Sequence, residues 1–429
     1  MDQLNVCNPM DLVNADDLAA LDAFLNSYES DSPRPYNQVE VPAELAQTQG
    51  YTGPIYGYCR EDSSYHVILG WEGAPCAPEL EAVRIGAIGE AVEEGIHGWW
   101  EDGELLFCWN HNGGQIPMNV MKYSLTQNVF SRNAGLLESE YLQETCAMFP
   151  GVGSVGSAMA LMLARAGVGK FILCDPDVLE IHNISRHQCD LSEVGIYKVD
   201  AVAKRIRRIN PKAQIRVFRR RLQQVREDQI NDWMVPGRSA IFAGCDSLEA
   251  NACACDLAET LKVPFLCTVF FAMAWCLEMY YYIPEFQDIG YRTGMADVLA
   301  AEARRQQEAI ENGDAAGANH FYAGQEDLAR FSFQPGVGAD VEYGCTIAVK
   351  LGLDLLNLYN HNYVMRLLPY LHQYTMYILN RDPRLGGGEI VEQFANKPFQ
   401  YQTKPVPGSY VYQKLLENAR AVQNTSEVQ

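Results

Sequence analysis

The stretch "FPGVGSVG", Phe149 to Gly156, constrains the fold of this chain more than any other feature. Its glycines at 151, 153 and 156 have the G-x-G-x-x-G spacing that lets a backbone pass close to a phosphate chain. Three glycines in six residues also occur in ordinary turns, so the flanking segments are informative. "TCAMF" before it predicts a short buried strand, and "SAMALMLARAG" after it predicts a helix that is apolar on nearly every side. The sequence therefore predicts a strand, a glycine turn and a helix in succession.

Buried strands and helices continue to alternate after this unit. The segment "KFILCD" predicts a second strand, and "VDAVAKRIRRIN" predicts a helix with one apolar stripe that ends before Pro211. Four further strands are predicted, at "QIRVF", "SAIFAG", "VPFLCTVFF" and "CLEMYYYI". This alternation is typical of a mostly parallel sheet, so we predict an α/β, doubly wound, Rossmann-like domain over residues 121–285.

The remaining chain predicts two further parts. Residues 1–120 indicate a separate α+β domain, with a helix beginning at Asn14, strands at "PIYGYC", "YHVILGWEG" and "ELLFCWNHNGG", and a helix at "ELEAVRIGAIGEAVEEGI". Residues 286–429 are predicted to complete the nucleotide domain with a helical insertion, a buried helix at "GCTIAVKLGLDLLNLY" and a disordered tail.

The charge of the chain limits its partners. A formal net charge of −21 argues against nucleic acid or an anionic membrane as the main partner, because both attract clustered Lys and Arg. The basic residues are nevertheless uneven, since nine of the 33 lie between Lys204 and Arg221. Two interpretations of this basic stretch stay open: a solvated helix face with a strand edge, or a local patch that attracts an acidic substrate.

The cysteines and the N-terminal segment predict a cytoplasmic protein. The chain has 13 cysteines, but its first residues are acidic and lack the apolar region of a signal peptide, and no apolar run of about 18 residues occurs. We therefore expect reduced thiols. No C-x-x-C pair occurs, so no structural zinc is expected.

The glycine turn and the end of the second strand predict a nucleotide site. In such a sheet the site lies at the carboxyl ends of the strands, where the strand order reverses. Gly151, Gly153 and Gly156 follow the first strand, and Asp175 ends the second strand 22 residues after Gly153. A carboxylate at that position can accept hydrogen bonds from ribose hydroxyls. These residues alone fit an NAD dehydrogenase equally well.

The polar residues beyond Asp175 favour a triphosphate. Asn183, Arg186 and Lys198 follow the ribose position, and a hydride-transfer enzyme has no need of them. Cations on the β- and γ-phosphates neutralise the charge that develops as pyrophosphate leaves. The strand "SAIFAG" is followed by Asp246, whose carboxylate is predicted to hold Mg²⁺. The expected ligands are therefore ATP and Mg²⁺.

The stretch from Gly151 to Lys212 resembles the ThiF/MoeB/ubiquitin-activating adenylation family, and the likeness extends over about 130–285 with a weaker echo near 334–357. The resemblance implies that a carboxylate reacts with ATP to give an acyl-adenylate and pyrophosphate. It also implies a homodimer, in which Arg132 matches an arginine that reaches the other subunit's site. The implied ATP and metal contacts are the glycines with Asp175 for ATP, Asn183, Arg186 and Lys198 for the phosphates, and Asp246 for Mg²⁺.

Differences between this chain and the family reduce the number of family activities that we expect of it. Members that activate sulfur-carrier proteins usually carry two C-x-x-C pairs, which this chain lacks, and Asn251 stands where the family commonly has an arginine. The extra N-terminal domain is similar to the peptide clamp of MccB-like enzymes, and within that group the chain is most similar to the enzyme of pantocin biosynthesis. The resemblance implies activation of Glu side chains on a short, acidic, ribosomally made precursor peptide, followed by dehydrative cyclisation in antibiotic biosynthesis.

Other functions and residue roles stay open. The alternatives are an activating enzyme for a sulfur-carrier or ubiquitin-like protein, a binding module with a degenerate site, and an NAD oxidoreductase. Asp177 fits a turn residue better than a ligand. Cysteine in an apolar segment is usually an inert core residue, and three candidates for an acyl-enzyme thiol are of this kind: Cys267, Cys276 and Cys345.

Overall fold

A computed structural model describes residues 37–294, apart from 62–63, 126, 246, 272–273, 275, 285 and 288–289, together with 304, 308, 311–313 and 336–378. The helix predicted after Asn14, most of the predicted insertion, the tail and Asp246 lie outside the described residues. The chain divides into two compact units. The first comprises Met1–Cys76 and Ala82–Tyr123, and the second comprises Ala77–Glu81 and Ser124–Gln429.

The described part of the first unit is an eight-stranded sheet with one short helix. The elements are β1 (Gln38–Pro42), α1 (Ala43–Gln47), β2 (Gly53–Arg60), β3 (Tyr65–Trp71), β4 (Val83–Ile88), β5 (Gly95–Glu101), β6 (Glu104–His111), β7 (Gly114–Pro117) and β8 (Asn119–Tyr123). The strand order is β7-β6-β5-β4-β2-β3-β1-β8. Along β2 and β3 every second residue is more buried than its neighbours, as expected for a sheet with one core face.

The helix predicted at "ELEAVRIGAIGEAVEEGI" is wrong. This segment contains β4, which pairs antiparallel with β2 and parallel with β5. Glycine is required at Gly86, because a Cβ there would lie 1.8 Å from the carbonyl oxygen of Ile96. Gly86 and Gly89 both disfavour a helix interior, and cross-strand pairing overrides the apparent helical spacing.

The described part of the second unit contains a seven-stranded sheet flanked by helices. The elements are α2 (Ser139–Gln143), β9 (Cys146–Phe149), α3 (Ser154–Ala166), β10 (Lys170–Cys174), α4 (Lys198–Ile209), β11 (Gln214–Phe218), β12 (Ser239–Ala243), α5 (Leu248–Leu261), β13 (Phe265–Phe271), β14 (Cys276–Tyr282), α6 (Gly338–Leu356) and β15 (Tyr374–Ile378). The strand order is β11-β10-β9-β12-β13-β14-β15. Neighbouring strands from β11 to β13 are parallel, and β14 and β15 are antiparallel. The predicted doubly wound α/β fold is confirmed, although β15 was not predicted.

The strand order reverses between β9 and β12. From β9 the sheet runs through β10 to β11 on one side, and from β12 through β13 to β14 on the other. Helix α3 is buried along most of its length, contacts α4 and α6, and ends at Gly167 with a φ of 106°. The carboxyl ends of β9 and β12 therefore flank a crevice, which is where open α/β sheets bind ligands. No helix in the described ranges has the length and apolar character needed to cross a bilayer.

Candidate active site

A cavity of about 750 Å³ lies over the carboxyl ends of the second unit's parallel strands. Its walls come from the glycine turn after β9, the segments after β10, β11, β12 and β13, and the first turns of α3, α4, α5 and α6. The volume is within the range of about 300–1,000 Å³ that small-molecule sites occupy. The unpaired amides at a helix N-terminus favour negative charge, so these helix starts suit an anionic ligand.

The glycine turn faces the cavity with two of its three predicted glycines. Gly151 and Gly153 line the cavity, and a Cβ at Gly153 would meet no atom within 4 Å. Gly156 is buried and is not among the described lining residues, and a Cβ there would lie 2.0 Å from the carbonyl oxygen of Gly151. Gly156 therefore permits the close approach of α3 to the turn, whereas Gly153 leaves room for a ligand.

Asp175 lines the cavity at the end of β10 and also shapes the glycine turn. Its Oδ2 accepts a hydrogen bond of 3.0 Å from the amide of Val152, and its Oδ1 accepts one of 2.9 Å from the amide of Asp177. Burial raises the pKa of Asp175, while these two amides and Lys198 act to lower it. Each carboxylate oxygen keeps a further lone pair, so hydroxyl donors of a ligand can still be accepted.

His187 holds the same turn from the other side, and the sequence analysis did not predict this. Its Nε2 lies 2.8 Å from the carbonyl oxygen of Val152, and its Nδ1 accepts a hydrogen bond of 3.1 Å from the amide of Cys189. Because Nδ1 accepts, the neutral ring carries its proton on Nε2 and donates to Val152. Burial lowers the pKa of His187 and favours this neutral form. Asp175 and His187 together fix both polar groups of the backbone at Val152.

Lys198 points into the cavity from the first turn of α4. Its Nζ lies 3.0 Å from Oδ2 of Asp177, and its amide donates a 2.9 Å hydrogen bond to the carbonyl oxygen of Asp177. The Lys198 side chain is 13 % exposed, whereas that of Asp177 is 63 % exposed. Asp177 is therefore more than a turn residue, because it orients the ammonium group. Its position two residues after Asp175 was the available sequence signal.

Asn183 and Arg186 line the cavity from the segment between β10 and α4. Asn183 ends a 3₁₀ turn, where its Oδ1 accepts a hydrogen bond of 3.0 Å from the amide of Glu180. Its carbonyl oxygen accepts the amide of Arg186 at 3.1 Å and that of His187 at 2.9 Å. The structure thus brings Arg186 and Lys198 to one cavity with the glycine turn, and Arg221 adds a third cationic side chain beyond β11.

The residue before Asp246 is tightly held, although Asp246 itself lies outside the described residues. Asn251 is buried, and its Oδ1 accepts a hydrogen bond of 3.0 Å from the amide of Cys245. Its Nδ2 donates one of 2.9 Å to the carbonyl oxygen of Cys245. The asparagine that replaces a common family arginine therefore fixes the backbone amide and carbonyl of Cys245. Among the residues described, no group of three or more His, Cys, Asp or Glu side chains is arranged to hold a metal ion.

Arg132 is far from the cavity of its own chain. It lies exposed in a 3₁₀ turn, Ser131–Asn133, and is not among the described lining residues. Asn133 Nδ2 donates a hydrogen bond of 3.1 Å to the carbonyl oxygen of Arg165, at the C-terminal end of α3. The glycine turn is at the opposite end of this 13-residue helix, which spans about 20 Å.

The two described thiols that were named as candidates are buried in the core. Cys267 and Cys345 are buried, and burial raises the pKa of each thiol well above its ordinary value. A protonated, buried thiol is a poor nucleophile. The side chain of Cys276 lies outside the described residues.

Comparisons with known proteins agree with this arrangement. The ThiF family matches residues 126–306. The ubiquitin-like modifier-activating enzyme 5 of Caenorhabditis elegans is 41% identical over 80 residues, 19% of either chain. The tRNA threonylcarbamoyladenosine dehydratase of Escherichia coli (strain K12) is 33% identical over 119 residues, 28% of this chain and 43% of that protein. The chain thus spans less than half the length of these relatives.

Solved structures are similar at lower identity. PaaA is 18% identical, with 56% of this chain and 71% of that chain covered and a TM-score of 0.41. MccB of E. coli with ATP is 13% identical, with 66% and 75% covered and a TM-score of 0.41. The family match spans the glycine turn, Asp175, Arg186 and Lys198, all of which line one cavity. Residues 126–306 of this chain are therefore a ThiF-family domain.

Proposed function

We propose that this protein is an ATP-dependent enzyme that activates a carboxylate as an acyl-adenylate. The observation that carries the proposal is the convergence of the glycine turn, Asp175, Arg186 and Lys198 on one cavity. In this proposal the turn and the first amides of α3 bind phosphate oxygens, and Asp175 accepts hydrogen bonds from ribose hydroxyls. A binding module without catalysis would not require cations held at these positions.

The proposed reaction develops negative charge on the pyrophosphate that leaves. The substrate carboxylate attacks the α-phosphorus of ATP, the bond to the β-phosphate oxygen breaks, and pyrophosphate leaves with the electron pair. Arg186 and Lys198 lie where cations can neutralise that leaving group, which stabilises the transition state more than the ground state. Asp177 limits the motion of the Lys198 ammonium group through their 3.0 Å contact.

Magnesium fits this site as an ion shared with the nucleotide. Mg²⁺ is usually bound by one or two protein carboxylates together with substrate phosphates and water, so a preformed cluster of ligands is not needed. Asp246 directly follows Cys245, which lines the cavity and is fixed by Asn251. Asp246 would hold the ion, and the ion would supply further positive charge to the phosphates.

We propose a Glu side chain of a short, ribosomally made precursor peptide as the carboxylate, in antibiotic biosynthesis. An adjacent amide or carboxylate would attack the acyl carbon of the adenylate and expel AMP, a step that proximity favours. The peptide oxygen leaves with AMP, so the peptide has lost one water overall. The first unit, which the sequence analysis placed at residues 1–120 and which extends to Tyr123, would act as the peptide clamp, as its separate sheet and the family resemblance suggest. The second candidate is the C-terminus of a ubiquitin-like or sulfur-carrier protein, which the name of one relative favours.

A homodimer is part of this proposal. Arg132 is too far from its own cavity to contact the nucleotide there, so its predicted role requires a site in a second copy of the chain. Sedimentation that gives a monomer with full activity would contradict the dimer.

Product analysis tests the function. The purified protein is incubated with Mg-ATP and short peptides encoded beside its gene, and products are read by chromatography and mass spectrometry. We expect peptide-dependent AMP and pyrophosphate, with loss of water from the peptide. ADP and phosphate would instead indicate an acyl-phosphate, and tighter binding of NAD than of Mg-ATP would overturn the nucleotide assignment. Asp175→Asn is the control, since it should weaken ATP binding.

A further inference from the structure

The cavity has two chemically different sides, divided where the strand order reverses. On the side of β10 and β11 its walls carry charged groups, which include Asp175, Arg186, Lys198 and Arg221. On the side of β12 and β13 the one charged lining residue that the structure describes is Glu249, and both of its carboxylate oxygens are held by Arg292 at 2.9 and 3.0 Å. The other lining residues described on this side are mostly apolar.

Five apolar residues form what we call the acyl wall: Val155, Val269, Phe270, Ala274 and Val341. Val269 and Phe270 are at the end of β13, and Val341 is a buried residue in the first turns of α6. These elements come from three distant parts of the sequence. The wall is therefore a product of the fold and not a local apolar run.

The wall is held in place by close packing. A Cβ at Gly344 in α6 would lie 2.5 Å from Cζ of Phe270, so the ring fits against the helix only because residue 344 is glycine. Ala274 is buried and has a φ of 64°, a conformation in which glycine is more usual. At that position alanine adds a methyl group that glycine would lack. The surface is thus shaped before any ligand arrives, which reduces the entropic cost of binding.

The order of strands places this wall on the side from which the acyl group approaches. The nucleoside side is fixed by Asp175 at the end of β10, and the phosphates follow toward the glycine turn after β9. Strands in a sheet are about 4.8 Å apart, so β13, two strands beyond β9, lies about 10 Å from it. A carboxylate that attacks the α-phosphorus opposite the leaving pyrophosphate therefore brings its carrier toward the acyl wall.

We propose that the acyl wall is a specificity subsite that receives an apolar side chain next to the activated carboxylate. This inference rests on the proposed function and adds the substrate class: a peptide in which an apolar residue, such as valine or leucine, adjoins the activated residue. A charged side chain packed against these five apolar residues would lose its water, and Glu249, the charged lining residue described on this side, is already neutralised by Arg292.

Stable analogues of the acyl-adenylate test this subsite without depending on turnover. The probes are sulfamoyladenosines linked through the Glu side chain of acetyl-Val-Glu, acetyl-Lys-Glu and acetyl-Asp-Glu amides, with unacylated sulfamoyladenosine as reference. Calorimetry with the full-length protein should show that the valine probe binds at least about 10-fold more tightly than either charged probe. Equal binding of the three probes would overturn the subsite.

A charge introduced into the wall should change this preference. Val269→Asp is expected to reduce the ratio of valine to lysine binding by about 10-fold, while sulfamoyladenosine binds as before. Val235→Asp, the same substitution at an exposed turn outside the cavity, is the matched control and should leave the ratio unchanged. The probe comparison on the unaltered protein still tests the proposal if Val269→Asp fails to fold. Acylated probes that compete with ATP but show no preference contradict the subsite alone, whereas failure of every probe to displace ATP contradicts the proposed function as well.

Discussion

Two regions of the second unit that contain basic residues differ in how many of these residues line the cavity. The phosphate segment, residues 183–198, contains few cations, and its three predicted site residues all line the cavity: Asn183, Arg186 and Lys198. The basic stretch, residues 204–221, has nine Lys and Arg, of which Arg221 is the one found among the described lining residues. The density of charge in the sequence therefore does not mark the site. What marks it is position at the carboxyl end of a strand.

Most cations of the basic stretch already have acidic partners within the chain. Arg205 contacts the buried carboxylate of Glu193 and also Asp190. Five further ion pairs are Lys204–Glu81, Arg207–Glu79, Arg208–Glu81, Arg216–Asp232 and Arg219–Asp200. These contacts favour the interpretation of the stretch as a structural surface over that of a patch for an acidic peptide. Variants in each region test whether activity depends on the phosphate segment and not on the basic stretch.

The largest effect is expected from Lys198→Met, matched by Arg208→Met in the basic stretch. Lys198 is mostly enclosed in the cavity, and its charge would act on the departing pyrophosphate. Its loss should lower kcat/KM for ATP by roughly 10²-fold or more, a typical value for one electrostatic contact in a transition state. Arg208→Met should change kcat/KM by less than about twofold, because exposed ion pairs contribute little. Equal losses in an assay of AMP release would contradict the comparison.

An intermediate effect is expected at His187, which supports the phosphate segment without touching the basic stretch. His187→Leu removes both the donor to Val152 and the acceptor for Cys189, and should lower the free energy of unfolding by about 1–3 kcal/mol together with kcat. His187→Gln can replace both hydrogen bonds and should keep most of the activity. If the two variants lose kcat equally, His187 is not a positioning residue.

The stability of the parent protein and of the His187 variants should depend differently on pH. Burial lowers the pKa of His187, with Lys198 and Arg205 lowering it further and the Val152 carbonyl and Glu193 raising it. The unfolded chain therefore binds the proton first, and the stabilisation from neutral His187 is complete above about pH 6.5 and decreases as the pH falls below it. Tm measured by calorimetry should fall more between pH 7.5 and 5.5 in the parent protein than in His187→Gln. Parallel Tm curves would contradict this role.

The sequence predicted the second unit well because its signals are local and strong. β9, β10 and β12 are short apolar runs that are almost fully buried, and α4 has a single apolar stripe. In the first unit, β4 has two exposed residues followed by four buried ones, and its pairing with β2 shifts register near Tyr56. It therefore lacks the alternation of a half-buried strand, and its segment was mistaken for a helix. His187 and Asp177 were missed because their partners are 35 and 21 residues away along the chain. Such pairs are created by the fold, and the one local signal was the position of Asp177 two residues after Asp175.

The smallest effect is expected from Arg219→Ala. This variant tests most directly whether the basic stretch has any role in binding the peptide. Arg219 contacts Asp200 at 2.8 Å, and its guanidinium lies 4.9 Å from the ring centroid of Tyr197, the residue before Lys198. Its side chain is 57 % exposed, and exposed pairs of this kind contribute about 0–1 kcal/mol. We therefore expect the free energy of unfolding to change by less than about 1 kcal/mol, with KM for the peptide unaltered at low and high salt. If the basic stretch instead recruits an acidic peptide, Arg219→Ala should raise KM at low salt and have less effect at high salt, because screening already weakens the attraction. A salt-dependent rise in KM would show that a residue with an internal partner still recruits the substrate, and position at a strand end would no longer distinguish the two regions.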